Sequence, residues 1–218
     1  ALEAARSEIL AATPDADIEV FEANAGNLDA AQACVAATVE RFGGIDILVN
    51  NAATNPYMGP TLDIDPGRWD KTTEVNLRAP LFWSQYAWHA SMKDRPGGSI
   101  INVASIAGLA GSLDMQFIAY GTSKGAVVNF TRTLAGEWGE HGITVNALAP
   151  GFFPSKMTKG TLERIGVDTL SRAAPLRRIG DDDDLKGAAL LFASDAGKHI
   201  TGQILAVDGG VSAVHHGA

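Results

Sequence analysis

A tyrosine stands four positions before a lysine in the stretch AYGTSKGAVV, residues 119–128. The stretch has the character of a helix start, and four residues make about one helical turn, so Tyr120 and Lys124 are expected on one face. A free phenol is too weakly acidic to exchange protons near neutral pH, and a nearby ammonium lowers its pKa. The pair predicts an acid or base, although this spacing also arises by chance.

Small and polar residues follow three apolar segments that are predicted strands. They are Asn50, Asn51 and Ala52 in LVNNAA, Ser105 in NVASIAG, and Pro150, Gly151 and Ser155 in NALAPGFFPSK. Each type also has an ordinary role, since Asn, Gly and Pro end strands and Ser caps helices. Their occurrence at three successive strand ends, together with the Tyr-Lys pair, favours a functional site.

The elements that must position these residues alternate along the chain. Near-continuous apolar segments predict strands buried on both faces at 17–23, 45–50, 98–104, 142–149 and 202–208. Amphipathic segments predict helices at 28–42, 66–92, 118–140 and 183–194. This alternation predicts an α/β fold, a doubly wound parallel sheet, in a single domain over 1–218. Ligands in this class bind beyond the carboxyl ends of the strands.

Composition narrows the class of partner and the location. The chain has 218 residues, 46% of them hydrophobic, and a net charge of −8. The negative charge disfavours nucleic acid and anionic membranes, and no apolar run approaches the length of a membrane span. Cys34 is the single cysteine, so an internal disulfide is excluded and a cytoplasmic location is expected. The chain begins without Met, which leaves upstream targeting signals open.

These motifs resemble the classical short-chain dehydrogenase/reductase (SDR) family of Rossmann-fold enzymes. The NNAG motif of that family is matched by residues 50–53, with Ala53 in place of its glycine, and its catalytic Asn by Asn76 in EVNLRAP. Its catalytic Ser, its Y-x-x-x-K motif and its P-G turn are matched by Ser105, Tyr120, Lys124, Pro150 and Gly151. The match runs nearly end to end, and PGFFPSKMT is similar to ketoacyl reductases of the rhamnolipid type.

The resemblance implies a reaction, a cofactor and a set of site residues. The reaction is hydride transfer between NAD or NADP and a secondary alcohol or ketone, and no metal is implied. The catalytic residues would be Asn76, Ser105, Tyr120 and Lys124. The cofactor-binding residues would be Asn24, Asn51, Ala52, Tyr120, Lys124, Pro150, Gly151, Phe153 and Ser155. The implied assembly is a homodimer or homotetramer.

The chemistry of the residues agrees with these roles. Hydride transfer to a carbonyl carbon requires proton transfer at the carbonyl oxygen, and Tyr120 is the expected acid or base. Ser105 is expected to hold the substrate oxygen by a hydrogen bond rather than to attack it. Lys124 is expected to stabilise the phenolate and, by the resemblance, to bond the hydroxyls of the nicotinamide ribose.

Pro80 stands four residues after Asn76 inside the predicted helix 66–92. Because proline has no N–H, the Asn76 carbonyl loses its usual helical donor and the helix is expected to bend there. In the SDR family this carbonyl holds a water next to the catalytic lysine. The alternative is that the helix begins near residue 76, where proline in the first turn is tolerated.

The resemblance also implies that the first βαβ unit, with its glycine-rich phosphate-binding loop, is absent from this chain. The segment 17–23 is then expected to pair directly against 45–50, or the chain to fail to fold cooperatively, with weak NAD(P)H binding in either case. The alternative function is a non-catalytic Rossmann-like fragment or binding protein with an incomplete cofactor site. A sugar-nucleotide epimerase also shares Y-x-x-x-K but carries a large C-terminal substrate domain.

Other conspicuous residues receive structural interpretations. The four acids of GDDDDLKGAALLF are expected to open a helix and to complement its dipole, not to bind a metal. His215 and His216 are expected to lie in a polar tail without a metal-binding role. Residues expected to contact an apolar part of the substrate are Met115, Phe117, Phe152, Phe153 and Met157. Residues expected at a subunit contact are Leu81, Phe82, Trp83, Tyr86, Trp88, Phe130 and Trp138.

Overall fold

The computed structural model describes residues 1–95, 97–112 and 115–214. Its sheet contains β1 (Ile47–Asn50), β2 (Gly98–Val103), β3 (Ile143–Pro150) and β4 (Ile204–Val207). The strands lie in the order β1-β2-β3-β4 and every pairing is parallel. The predicted parallel sheet is confirmed, and its strands lie within four of the predicted segments, extended by one residue at Pro150.

The described α-helices are α1 (Leu2–Ala12), α2 (Leu28–Phe42), α3 (Pro66–Thr73), α4 (Ala79–Ala90), α5 (Ile118–Trp138), α6 (Lys159–Ile165), α7 (Val167–Ala173) and α8 (Lys186–Ala193). Helix α2 matches its predicted bounds, and α5 ends two residues earlier than predicted. Helices α6 and α7 were not predicted. They follow the carboxyl end of β3, where the predicted site residues also lie.

Helices cover both faces of the sheet, as a doubly wound fold requires. Neighbouring residues of β2 show this, because side chains along a strand point alternately to opposite faces. Ile100 packs in a cluster with Leu134 of α5, while Ile101 packs in a separate cluster with Phe192 of α8. The two central strands therefore separate two layers of core.

Burial differs between the central and the edge strands. Ile100 and Val145, on β2 and β3, are 0% exposed, whereas Ile47 and Val49 of β1 are 44% and 52% exposed. The prediction of burial on both faces is therefore right for β2 and β3 and wrong for β1. The physical reason is that β1 lies at one edge of the described sheet, with a strand partner on one side only.

The segment 17–23 forms no strand, so the prediction of a strand there is wrong. It does not pair with β1, and the expected direct pairing of 17–23 with 45–50 is also wrong. Its side chains still alternate, with Ile18 and Val20 half-buried and Phe21 41% exposed. Alternating burial alone does not make a strand, because the ladder hydrogen bonds require a neighbouring strand.

Residues 66–90 form one helical segment with a widened turn inside it. Asp65 caps its start by accepting a hydrogen bond from the Arg68 N–H at 2.9 Å. Residues 74–78 form a π-helical turn, in which the Ala79 N–H donates to the Glu74 carbonyl, and α4 follows directly. The alternative start near residue 76 is therefore wrong. The missing N–H of Pro80 and the π-turn occur at the same place, which is typical of functional positions in helices.

The acidic run does not open a helix as expected. Asp182 to Asp184 lie in a turn before α8, and three of the four acids pair with nearby cations: Asp181 and Asp184 with Arg178, and Asp183 with Lys186. The hydrogen bonds from Arg178 lower the pKa of Asp184 well below its ordinary value. Among the described residues no group of three metal-ligating side chains is placed to hold an ion. His215 and His216 lie outside the described residues.

The aromatic residues expected at a subunit contact are half-buried within the chain itself. Trp88, Phe130 and Trp138 pack against the core cluster of α4, α5, β2 and β3. The rings of Trp88 and Trp138 lie 4.9 Å apart between centroids. These helices thus leave less free apolar surface than the sequence indicates, and the oligomeric state stays a prediction. None of the described helices is long and apolar enough to cross a membrane.

Candidate active site

Tyr120 and Lys124 lie in the first turns of α5, as their spacing predicts. The Lys124 Nζ is 5.7 Å from the centroid of the Tyr120 ring. The lysine is 3% exposed and donates a hydrogen bond of 2.6 Å to the Val103 carbonyl at the end of β2. Burial lowers the pKa of Lys124 to about 8, because desolvation disfavours its charged form.

The pKa of Tyr120 does not behave as the Tyr-Lys pair predicts. Burial raises it above the ordinary value, since a phenolate in this environment is poorly solvated, while the side chain of Ser105 acts in the opposite direction. The expected lowering is therefore not produced by the side chains of this chain alone. Lys124 lies over the face of the Tyr120 ring and donates its hydrogen bond to the Val103 carbonyl instead.

Ser105 follows β2 and begins a short 3₁₀ turn over Ile106–Gly108. Its Oγ accepts a hydrogen bond of 3.2 Å from the Ala107 N–H. The turn packs directly on the backbone of α5: a Cβ at Gly108 would lie 2.4 Å from the Lys124 carbonyl carbon. Only glycine fits at this contact, and the contact brings the serine next to the start of α5.

Asn76 lies in the π-turn and is 1% exposed. Its Oδ1 accepts a hydrogen bond of 2.7 Å from the Thr54 N–H, and its Nδ2 donates to the Thr54 carbonyl at 2.9 Å. The same Nδ2 donates to the Ser123 Oγ at 3.0 Å. Both amide hydrogens are thus used within the protein. The side chain of Asn76 ties the loop after β1 to α5.

Asn51 and Ala52 lie at the carboxyl end of β1 and line a cavity of about 210 Å³. Ala25, Pro80 and Trp83 line the same cavity. The indole N–H of Trp83 donates to the Ala25 carbonyl at 3.1 Å, which fixes one wall. The cavity joins the end of β1 to the loop that carries Asn24.

Asn24 lies in the turn before α2, next to Ala25. Its Oδ1 accepts a hydrogen bond of 3.1 Å from the Gly26 N–H, and its carbonyl accepts one from the Asn27 N–H at 2.9 Å. These bonds shape the turn, and the neighbouring Ala25, not Asn24, is among the residues that line the cavity.

Pro150 is the last residue of β3, and Gly151 continues beside β4. The Gly151 N–H donates to the Val207 carbonyl at 2.9 Å. A Cβ at Gly151 would lie 2.8 Å from the Asp208 Cβ, so the backbone passes the end of β4 too closely for a larger residue. Glycine at position 151 is therefore required for packing.

Phe153 and Ser155 follow this turn in the loop before α6. The ring of Phe153 packs on Gly180 and lines a second cavity, of about 200 Å³, with Arg178 and Asp208. The Ser155 Oγ lies 2.8 Å from the Thr158 Oγ1 and accepts a hydrogen bond from the Thr158 N–H at 3.1 Å. Neither set of cavity-lining residues includes Tyr120.

The structure thus brings the predicted catalytic residues together at the carboxyl ends of the strands. Among the predicted cofactor residues, Asn51, Ala52, Pro150 and Gly151 lie at strand ends, whereas Asn24 follows a segment that is no strand. Sequence reasoning missed Thr54, Ser123 and Gly108. The position of Ser123, next to Lys124, was a possible signal. Thr54 and Gly108 gave none, because their roles depend on contacts with residues distant in the chain.

Comparisons with known proteins agree with this arrangement. A family model described as enoyl-(acyl carrier protein) reductase matches residues 1–212. Dehydrogenase/reductase SDR family member 4 of Homo sapiens is 35% identical over 186 residues, which cover 85% of this chain and 66% of that protein. The chain belongs to the short-chain dehydrogenase/reductase family. It spans just under two thirds of the length of that relative.

Two solved structures extend the likeness to the fold. The crystal structure of levodione reductase superposes with a TM-score of 0.93 at 28% identity, covering 98% of this chain and 84% of that chain. A gluconate 5-dehydrogenase from Burkholderia cenocepacia, in complex with NADP and tartrate, gives a TM-score of 0.82 at 31% identity. That match covers 88% of this chain and 74% of the other.

Proposed function

We propose that the protein is an NAD- or NADP-dependent oxidoreductase that interconverts a secondary alcohol and a ketone. The observation that carries the proposal is the meeting of Tyr120, Lys124 and Ser105 at the carboxyl edge of the sheet. The lysine lies 5.7 Å from the centre of the tyrosine ring. Burial raises the pKa of the phenol, and the side chain of Ser105 partly opposes that rise. This set supports proton transfer at a carbonyl oxygen.

Each side chain has a distinct role in the proposal. Tyr120 donates a proton to the carbonyl oxygen during reduction and removes it from the alcohol during oxidation. Ser105 holds that oxygen near the phenol by a hydrogen bond. Lys124, fixed by the Val103 carbonyl, contributes positive charge at the ring of the tyrosine. The nicotinamide, when bound, supplies or accepts the hydride.

The residues at the strand ends fit such a cofactor. The cavity beside Asn51 and Ala52 has an apolar wall at Trp83. Asn24, next to the cavity-lining Ala25, supplies an amide that both donates and accepts. On the other side of the site, Pro150, Gly151, Phe153 and Ser155 would hold the nicotinamide end. The NADP held by the gluconate 5-dehydrogenase structure supports this choice of cofactor.

An aromatic ring and two loop contacts lie on the substrate side of the proposed site. The ring of Phe117 lies 6.3 Å from that of Tyr120, edge to face. The Gly59 N–H donates to the Gln116 carbonyl at 2.9 Å, and the Thr161 hydroxyl contacts the Met58 sulfur at 3.7 Å. These contacts join the loops after β1 and β2 to α6 around the tyrosine.

Two methionines at this surface remain accessible to a ligand. Met58 is 40% exposed and Met157 is 41% exposed. Methionine side chains adapt to ligands of different shape. We propose that this surface contacts the apolar part of a ketone or secondary alcohol.

One observation favours the alternative of a non-catalytic binding protein. Strand β1 has no strand partner on its outer side in the described sheet, and its residues Ile47 and Val49 are exposed. The sheet therefore ends beside the proposed cofactor cavity. If that opening prevents cofactor binding, the site would be inactive despite its catalytic set. Titration of the protein with NADH and with NADPH by calorimetry distinguishes the oxidoreductase from the non-catalytic binding protein. The non-catalytic alternative predicts no saturable binding of either cofactor.

The test of the proposal is turnover with a substrate panel. Cyclic ketones, ketoacyl thioesters and sugar acids are each supplied with NADH or NADPH, and the loss of reduced cofactor is followed by absorbance. We expect turnover of at least one class and expect apolar ketones to be the best. Saturable cofactor binding without turnover of any carbonyl would contradict the proposal.

A further inference from the structure

Ser123 stands between Tyr120 and Lys124 and is 1% exposed. Its Oγ accepts the hydrogen bond of 3.0 Å from the Asn76 Nδ2 and donates one of 2.7 Å to the Tyr120 carbonyl. The hydroxyl is therefore satisfied as both donor and acceptor. One of its partners is the backbone of the residue that carries the phenol.

These bonds form a continuous chain across the site. The amide of Asn76 binds both backbone groups of Thr54, then the hydroxyl of Ser123, which binds the backbone of Tyr120. The loop after β1, the π-turn and the first turn of α5 are joined in this way. Lys124 anchors the same helix to Val103 on β2. Two independent anchors thus fix the orientation of the helix start.

The same helix contains a matched junction that is remote from the chemistry. Thr131 is 0% exposed, accepts a hydrogen bond of 3.0 Å from the Asn102 Nδ2 and donates one of 2.8 Å to the Val127 carbonyl. Ser123 and Thr131 therefore share burial, an asparagine donor and a helical carbonyl acceptor. They differ in that the carbonyl bound by Thr131 belongs to a valine of the core.

We propose that Ser123 is a positioning residue for the reaction proposed above, and that its hydroxyl holds the turn of α5 that aims the phenol of Tyr120 at the substrate. The inference rests on the proposed function of this site. Ser123 acts through Tyr120 and Asn76. Without the hydroxyl, an amide hydrogen of Asn76 loses its buried partner and the helix start is anchored on the Lys124 side alone.

The experiment compares Ser123→Ala with Thr131→Ala. Both variants remove a buried hydroxyl from an equivalent junction, so both are expected to lower the free energy of unfolding. Ser123→Ala is expected to lower kcat about tenfold with little change in the KM of the cofactor, because a small displacement of a catalytic group is costly. Thr131→Ala is expected to retain the kcat of the unmodified protein.

The pH profile of kcat provides a readout that a loss of stability does not move. The side chain of Ser105 holds the pKa of Tyr120 below the value that burial alone would give. If the helix start shifts, this interaction weakens, and the limb assigned to Tyr120 is expected to move to higher pH in Ser123→Ala. The profile of Thr131→Ala is expected to stay unchanged.

Two further variants keep the test decisive if Ser123→Ala does not fold. Ser123→Thr keeps the hydroxyl and is expected to recover most of kcat, while Ser123→Cys keeps the volume but weakens both hydrogen bonds and is expected to be impaired. Equal kcat for the Cys and Thr variants would overturn the inference, as would an equal loss in Thr131→Ala. An unmodified protein that turns over no carbonyl would instead contradict the proposed function.

Discussion

Helix α5 meets the rest of the molecule differently in its first turns and in its middle. In the first turns, Lys124 is buried with a pKa lowered to about 8, and burial raises the pKa of Tyr120. In the middle, Thr131 is buried too, but its neutral hydroxyl is fully hydrogen-bonded and carries no charge to desolvate. The comparison teaches that the burial of polar groups does not by itself indicate a functional site. The burial of groups that can ionise does indicate one.

The largest effect is expected from Tyr120→Phe, which keeps the ring and removes only the hydroxyl. Turnover of a ketone is expected to fall about a thousandfold, because general acid catalysis is lost, while the thermal unfolding midpoint stays close to that of the unmodified protein. Steady-state kinetics and a melting curve are the measurements. Tyr86→Phe is the control, because Tyr86 is a half-buried tyrosine of α4, and this variant is expected to retain turnover. Full activity in Tyr120→Phe would remove the role assigned to the phenol.

A smaller effect is expected from Gly108→Ala, which acts on the distance between Ser105 and the helix start. The added methyl would lie 2.4 Å from the Lys124 carbonyl carbon and 2.6 Å from the Gly125 nitrogen, so the turn must move away from α5. We expect a loss of about 1–3 kcal/mol in the free energy of unfolding and a lower kcat. Chemical denaturation and steady-state kinetics measure the two effects.

Gly136→Ala is the matched control in the later part of α5. A Cβ there has nothing within 4 Å, so no contact changes. The substitution is expected to stabilise the helix by roughly 0.5–1 kcal/mol without altering kcat. If both glycine variants behaved alike, the close contact of Gly108 with α5 would not position the site.

The last expected effect is a pH dependence of stability. Because the pKa of Lys124 is lowered from 10.5 to about 8, the folded protein binds fewer protons than the unfolded chain between these values. The free energy of unfolding contributed by this group therefore rises with pH from about 8, by roughly 2 kcal/mol at pH 10. The raised pKa of Tyr120 opposes this only above its ordinary value of 10.0.

Urea denaturation at a series of pH values, compared between the unmodified protein and Lys124→Met, measures this contribution. The variant has no titrating group at the position, so its stability is expected to lack the rise between pH 8 and 10 that Lys124 produces. Parallel stability profiles for the two proteins would contradict the burial of a charged lysine at the start of α5.

The fold was predictable from the sequence where local pattern and tertiary burial agree. Strands β2 and β3 have continuous apolar sequences because both faces pack under helices, and α2 is bounded by an Asn27 cap and Gly43 in the left-handed conformation. The segment 17–23 has a similar apolar sequence and is no strand, since pairing depends on a neighbour that the segment itself does not specify.

The site was predictable to the extent that short-range spacing determines it. Tyr120 and Lys124 meet because one helical turn separates them, whatever lies around the helix. The bond between Asn76 and Ser123 joins residues 47 positions apart, and the pattern of neither segment indicates the other. The pKa shifts were likewise beyond the sequence, because they depend on how deeply each side chain is buried.

The central proposal is that the protein transfers a hydride between a nicotinamide and a carbonyl carbon, with the proton moving through Tyr120. The most direct measurement supplies a reduced cofactor with deuterium at the hydride position and follows the label by mass spectrometry and NMR. With the unmodified protein, we expect deuterium on the carbinol carbon of the alcohol product. With Tyr120→Phe, we expect no labelled alcohol, and the deuterium stays in the reduced cofactor. Alcohol formed without deuterium at that carbon, or no alcohol from any ketone despite saturable cofactor binding, would contradict the account.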